Sequence, residues 1–183
     1  MQAIPLGLYI HLPWCERKCP YCDFNSHESS HIPEQRYVEA LLTDLETDLP
    51  LVRGREVATL FIGGGTPSLF SPQSIDRLLG DIRARLRLEP DCEITLEANP
   101  TSSEAENFRG YRAAGVNRVS VGVQALNDED LKALGRQHSS EEAIAACRLA
   151  AKIFPRVSFD MIYARPNQTP EQWRAELTRA LAE

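Results

Sequence analysis

The sequence predicts an α/β fold of about five βα units, closed either as a doubly wound sheet or as a partial (β/α) barrel of the TIM kind. Three observations predict it. The hydrophobic period switches regularly between short β-like runs and amphipathic helical stretches along 183 residues, with no repeats and no low-complexity tracts. The strand-like runs are short and mostly apolar, as parallel strands covered on both sides should be. A cysteine triad, a glycine triplet and the polar residues Glu97, Gln124 and Asp160 follow the strand-like runs or close them. That is the end of the strands where barrels build their sites.

The strands are read at Leu8 to Leu12, Val57 to Ile62, Glu93 to Ala98, Asn117 to Val123 and Val157 to Ile162. The first helix follows Pro33 and repeats an apolar face at Val38, Leu41, Leu42, Leu45 and Leu49 before Pro50 stops it. The next takes Ser71 as N-cap and Pro72 as its first residue, then sets Ile75, Leu78, Leu79, Ile82 and Leu86 on one side. Later helices open on capping boxes, Ser103 with Glu106, Ser139 with Glu142 and Thr169 with Gln172, while Gly115 and Gly135 are C-terminal stops. The last helix spans Glu171 to Ala182 with Trp173, Leu177 and Leu181 facing inward. No strand follows it, so the sheet ends on an unprotected edge. A complete eight-unit barrel takes ~250 residues, and the chain is therefore expected to be a fragment of a longer protein.

Composition narrows the function classes. With 43% hydrophobic and 25% charged residues the chain has an ordinary globular make-up, and one domain is expected. The net charge is −6, from 20 Lys and Arg against 26 Asp and Glu, with no dense basic run to follow a phosphate backbone, so nucleic acid is not an expected partner. No stretch is apolar for the ~18 residues a membrane span requires, and the opening Met1-Gln2-Ala3-Ile4-Pro5 lacks the regions of a signal peptide. A cytoplasmic protein is expected.

Five cysteines are an odd number, and three of them crowd together as Cys15-x3-Cys19-x2-Cys22 in the loop after the first strand. That is not a disulfide framework. Four irons held by three local cysteines leave one coordination position open for a small molecule, which makes an open iron–sulfur cluster the leading reading. A structural zinc site remains an alternative, with His27 or His31 as fourth ligand, as do redox or incidental thiols. Cys92 and Cys147 stand alone and read as buried thiols outside the site. Trp14 and Tyr21 flank the triad and would shield a cluster from water or simply pack the loop. Gly63, Gly64 and Gly65 directly follow a strand, either to let a ligand approach the backbone or to make a tight turn. Glu97 and Asp160 would serve a ligand or, structurally, pair with nearby Arg118 or Arg165.

The run Tyr9-Ile-His-Leu-Pro-Trp-Cys15-x3-Cys19-Pro-Tyr-Cys22-Asp-Phe-Asn-Ser-His27 resembles the radical S-adenosylmethionine family, in its oxygen-independent coproporphyrinogen oxidase-like branch. The resemblance continues through Gly63-Gly-Gly-Thr-Pro-Ser68, Glu97-Ala-Asn-Pro100, Ser120-Val-Gly-Val-Gln124, Gly135-Arg136 and Asp160-Met-Ile-Tyr163. It implies that residues 1–183 form a radical S-adenosylmethionine core, an incomplete barrel without the C-terminal domain. It implies a 4Fe-4S cluster on Cys15, Cys19 and Cys22, and S-adenosylmethionine, one or two molecules, bound by Tyr9, Tyr21, Gly64, Gly65, Thr66, Glu97, Gln124, Arg136 and Asp160. The glycines would take the methionine amino group and Glu97 the ribose hydroxyls. Branch members that oxidise the porphyrinogen carry a further cysteine two residues after the triad, where this chain has Phe24, as in the haem-chaperone subgroup. The resemblance therefore implies haem and haem-acceptor proteins as partners, with an electron donor, and a radical enzyme acting on a porphyrinogen as the alternative. The subgroup's haem ligand lies in a C-terminal His-Asn-x-x-Tyr-Trp motif, and no histidine here precedes an asparagine. Ile162-Tyr-Ala-Arg-Pro166 departs from the usual Tyr-Gly-Leu-Pro, adding a charge beside Asp160.

Overall fold

The computed structural model describes residues 4–183, apart from the side chains of Ser102 and Ser103. In chain order it runs β1 (Leu6–Leu12), β2 (Trp14–Cys15), β3 (His27–Glu28), α1 (Glu34–Asp48), β4 (Val57–Gly64), α2 (Pro72–Arg85) and β5 (Leu88–Ala98). There follow α3 (Ser102–Ala105), α4 (Phe108–Ala114), β6 (Arg118–Gln124), α5 (Asp128–Ala133), α6 (Ser140–Ile153), β7 (Arg156–Met161) and α7 (Pro170–Ala180). Five strands form one parallel sheet in the order β1-β4-β5-β6-β7. Each strand is placed beside the one before it by a helical crossover, as expected of consecutive βα units.

The sheet is not covered alike on its two faces. Ile10, Leu12, Leu60, Ile62, Ile94, Leu96, Val119 and Val121 are buried and share a core with helix residues Val38, Leu42, Ile75, Leu78, Leu79, Ile82, Phe108 and Ala146. The alternate positions carry Tyr9, His11, Phe61, Glu93, Thr95, Glu97, Arg118 and Ser120. They share the opposite face because Tyr9 is opposite Phe61, Phe61 opposite Thr95, Thr95 opposite Arg118 and Glu97 opposite Ser120. Covering on both sides, expected from the apolar strands, is thus corrected. The helices cover one face, and the other is a polar concave wall, the inward side of an incompletely closed barrel.

Local signals explain most element ends. Ser71 Oγ accepts from Ser74 N with Pro72 in the first turn, and Ser139–Glu142 and Thr169–Gln172 both form complete capping boxes. Gly115 adopts φ 110° behind α4, a left-handed position that closes the helix at no steric cost. α1 ends at Asp48, and Pro50 lies inside a 3-10 turn over Leu49–Val52. Three expectations are corrected. Ser103 lies within α3 instead of capping it, its side chain outside the described residues, and the cap is Thr101, whose Oγ1 accepts from Glu104 N at 3.4 Å. β5 begins at Leu88, because the register slips between Val57 and Thr59 and tolerates Pro90 at the irregularity. Leu177 in α7 and Leu181 directly after it are exposed. The inward positions are Trp173, Glu176 and Ala180, since the Glu176 carboxylate is drawn under the helix by Arg165 at 2.5 Å.

Candidate cofactor site

The C-terminal ends of the sheet strands open into one cleft of about 170 Å³. The cysteine loop forms its rim and is pinned at both ends by the short parallel pair of β2 and β3. His27 N donates to Pro13 O at 2.7 Å and Ser29 N to Cys15 O at 3.1 Å, while Lys18 Nζ donates inward to the carbonyls of Phe24 and Ser26. Cys15, Cys19 and Cys22 all line the cleft, with Phe24, exposed, beside them. The thiols share the space without closing on one point: among the described residues no three His, Cys, Asp or Glu side chains are arranged to grip a metal ion. Neither His27 nor His31 lines the cleft, so neither is placed to complete a zinc site there.

Of the residues expected to hold S-adenosylmethionine, Tyr21, Gly64, Gly65, Thr66, Glu97, Gln124, Arg136 and Asp160 line this cleft. Tyr9 does not. Its hydroxyl meets His11 Nδ1 at 2.9 Å and its ring stacks on Phe61 along the open face. Trp14 also turns away and meets Tyr37 edge-on at 4.4 Å, which makes it packing and not a shield. Cys92 and Cys147 stay outside the cleft, and burial raises both thiols, Cys147 to about 11, which keeps them protonated and inert.

The glycine turn is demanded by the protein itself. A Cβ on Gly65 would stand 2.5 Å from Trp14 O, and Gly64 has φ 120° with His11 against it. Gly64 N donates to Glu97 Oε2 at 3.3 Å, Gly65 N to Leu12 O at 2.8 Å and Thr66 N to Trp14 O at 2.7 Å. With these N–H groups taken up by the fold, the turn can meet a ligand through its backbone only as a hydrogen-bond acceptor, the polarity an ammonium group requires.

Glu97 and Asp160 escape the ion pairs suggested for them. Arg118 meets Glu93 at 3.4 Å, and Arg165 meets Asp130 at 2.8 Å and Glu176 at 2.5 Å. The Ala164-Arg165 departure is therefore a loop strap, with Ala164 at φ 55°, and its charge is directed away from Asp160. Burial raises the Glu97 carboxyl, and Asp160 adds to the rise, while the Gly64 N–H and His11 oppose it. Burial likewise pushes Tyr21 up to about 12, against the pull of Arg136. Gln124 closes β6 at φ 69°, a strained backbone position of the kind that gathers at binding sites.

Sequence reasoning missed three contributors. His11 accepts from Tyr9 and donates through Nε2 to Asn25 O at 2.8 Å, tying the cysteine loop to β1. Asn99 and Ser120 both line the cleft. Asn99 stands inside the Glu97-Ala-Asn-Pro100 phrase, and Ser120 and His11 occupy the same alternating face as Glu97 and Tyr9, which is the signal that would have found them.

Thr66 Oγ1 lies 3.6 Å from Cys15 Sγ and Arg136 Nη1 lies 3.6 Å from Cys19 Sγ, so two thiols already have donors aimed at them. Arg136 Nε is buried and has no partner among the described residues. A set of soft thiols, donors directed at sulfur and an unused buried N–H is the chemistry an iron–sulfur cluster and a polar ligand beside it would use.

The model of the Radical SAM superfamily matches residues 9–180. The chain is 50% identical over 179 residues to a protein named heme chaperone HemW of Escherichia coli K12, covering 97% of this chain and 47% of that protein. It is 41% identical to the mouse mitochondrial radical S-adenosyl methionine domain-containing protein 1, covering 96% of this chain and 40% of that one. Among solved structures it superposes on coproporphyrinogen III oxidase (HemN) of Escherichia coli, a radical SAM enzyme, with TM-score 0.87 and 34% identity over 97% of this chain and 42% of that chain. The chain thus spans about half the length of the curated relatives it matches. No described helix is long and apolar enough to cross a membrane.

Proposed function

The chain belongs to the radical SAM superfamily, and we propose that it is the cofactor-binding part of a cytoplasmic haem chaperone that binds a 4Fe-4S cluster and S-adenosylmethionine and takes part in passing haem to acceptor proteins. The observation that carries the reading is the cleft itself: Cys15, Cys19, Cys22 and Phe24 line it, and Phe24 takes the position at which, by the resemblance, the porphyrinogen-oxidising members of the branch carry a further cysteine. The 50% identity to a named heme chaperone supports the same choice. Cys15, Cys19 and Cys22 would hold the cluster, which supplies one-electron reduction of S-adenosylmethionine when bound and reduced by an electron donor.

The remaining residues bind and orient. The acceptor groups of the Gly64 and Gly65 turn suit the methionine ammonium, Glu97 suits the ribose hydroxyls, and Gln124 and Asp160 close the far wall. A carboxylate raised by burial accepts strongly from hydroxyl donors once water is displaced. The likeness to HemN favours a second reading, a radical oxidoreductase acting on coproporphyrinogen III or a related substrate.

Anaerobic purification with iron and acid-labile sulfide analysis tests the site. Cys15→Ala, Cys19→Ala and Cys22→Ala are each expected to remove the cluster, and Cys92→Ala to retain it. A colourless wild type free of sulfide would refute the cluster. For the function, the full-length protein is expected to bind haem and to leave coproporphyrinogen unchanged with S-adenosylmethionine and reductant; measured decarboxylation would put the oxidoreductase reading first.

A further inference from the structure

Two of the three clustered thiols are joined by a continuous string of side chains. Arg136 Nη1 reaches Cys19 Sγ at 3.6 Å across 117 residues of sequence, while its Nη2 donates to Asn99 Oδ1 at 2.6 Å and Gly122 O at 3.0 Å. Asn99 Nδ2 donates to Thr66 Oγ1 at 3.4 Å, and Thr66 Oγ1 stands 3.6 Å from Cys15 Sγ. The Asn99 backbone is itself held, its N–H directed at Ser68 Oγ (3.1 Å) and Glu104 Oε2 (3.2 Å), with Glu104 buried beneath.

The string has a sense. A guanidinium only donates, so Arg136 fixes which end of the Asn99 amide is oxygen. The amide nitrogen then faces Thr66 and occupies its acceptor side. The single Thr66 proton is left to point at Cys15 Sγ. Arg136 therefore sets the hydroxyl direction at the other thiol through Asn99.

We propose that Thr66, Asn99 and Arg136 form an ordered donor string that hydrogen-bonds the Cys15 and Cys19 thiolates and raises the reduction potential of the cluster they ligate, with Asn99 as its positioning residue. The proposal rests on the cluster reading above. Reduction adds negative charge that spreads onto the thiolate sulfurs. Donors on those sulfurs stabilise the reduced state more than the oxidised one, and a charged donor does so most strongly.

The test is an anaerobic redox titration of the reconstituted full chain, followed by electron paramagnetic resonance without S-adenosylmethionine, so that changes in ligand binding cannot mimic the effect. Asn99→Asp keeps the shape but accepts from both neighbours, which turns the Thr66 proton away from Cys15. Thr66→Val removes only that hydroxyl, and Arg136→Gln removes the charge at Cys19. Each is expected to lower the reduced-to-oxidised ratio at fixed potential about tenfold, a shift of about 59 mV to more negative values. Asn99→Ala, which leaves the Thr66 proton free to face Cys15, should shift less than Asn99→Asp. Potentials equal to wild type in Asn99→Asp and Arg136→Gln, with iron and sulfide intact, would overturn the string and leave the cluster standing. Absence of iron and sulfide from the wild type would overturn the cluster reading itself. If Asn99→Asp fails to hold a cluster, Thr66→Val decides by the same criterion.

Discussion

The two faces of the five-stranded sheet are built from the same strands and do opposite work. Facing the helices, Ile10, Leu12, Ile62, Leu96 and Val121 are buried to within a few per cent and belong to one hydrophobic core. Facing the open side, their alternate neighbours form a ladder of polar groups. Arg156 and Arg118 bracket Glu93, Arg118 continues to Thr95 and Ser158, and Ser120 donates to Asp160 at 3.3 Å. The lesson is that stability and chemistry are separated here by a single residue of register. A strand holds the core with one residue and serves the cleft with the next, as Leu96 and Glu97 do.

That division is best broken at Leu96. Leu96→Ala removes a fully buried side chain from the covered face and is expected to lower stability by about 2–5 kcal/mol in chemical denaturation. A loss below about 1 kcal/mol would mean that the core does not carry the sheet.

Next in size is the pH dependence at His138, in the loop before α6 and bonded to the end of β6. Its Nε2 lies 3.1 Å from Val123 O, and burial, with Arg136 adding, holds it down to about 4 from the usual 6.5. The unfolded chain thus binds the proton first as pH falls. Stability is full above the unfolded value and is lost as pH drops from about 6.5 towards 4, by on the order of 2–3 kcal/mol. His138→Asn should flatten this part of the stability profile, whereas the carboxylates Glu93, Asp128 and Asp130, held below their ordinary values by their partners, cost stability only below about 4.5; an unchanged slope between 6.5 and 4.5 would rule out His138 as its source.

The open face should respond weakly. Arg156 is largely exposed and bonds Glu93 at 2.7 Å, so Arg156→Ala is expected to cost less than about 1 kcal/mol, and less again in high salt. Smallest of all is the effect of Glu97→Gln on stability. The amide keeps an acceptor for Gly64 N and removes a half-buried charge, so the melting temperature should hold within the range of about 0.5 kcal/mol typical of neutral substitutions. Binding of S-adenosylmethionine, measured by calorimetry on the cluster-loaded protein, should fall. A large drop in melting temperature would erase the distinction between the faces.

Much of the fold was legible because it is written locally. Ser71-Pro72, Ser139 with Glu142 and Gly115 end or start helices through contacts a few residues long. The five strand runs follow from apolar content alone, and the cleft residues Glu97, Gln124 and Asp160 could be placed because strand ends are visible in sequence. Leu177 and Leu181 were misread because a hydrophobic pattern cannot show that a carboxylate, Glu176, takes the inward position by pairing with a buried arginine. The open face was misread for a related reason. Apolar runs such as Val57 to Ile62 look doubly buried until neighbouring strands are aligned and their polar residues fall into one row.

By itself, then, the sequence determined the order and type of the elements and the spacing of three cysteines, since both depend on neighbours within a few residues. Tertiary structure alone decided that Cys19 meets Arg136, that Asn99 stands between Arg136 and Thr66, and that the helices cover only one face of the sheet. These are contacts between residues far apart in the chain, fixed by the register in which five strands pair, and no local pattern encodes that register.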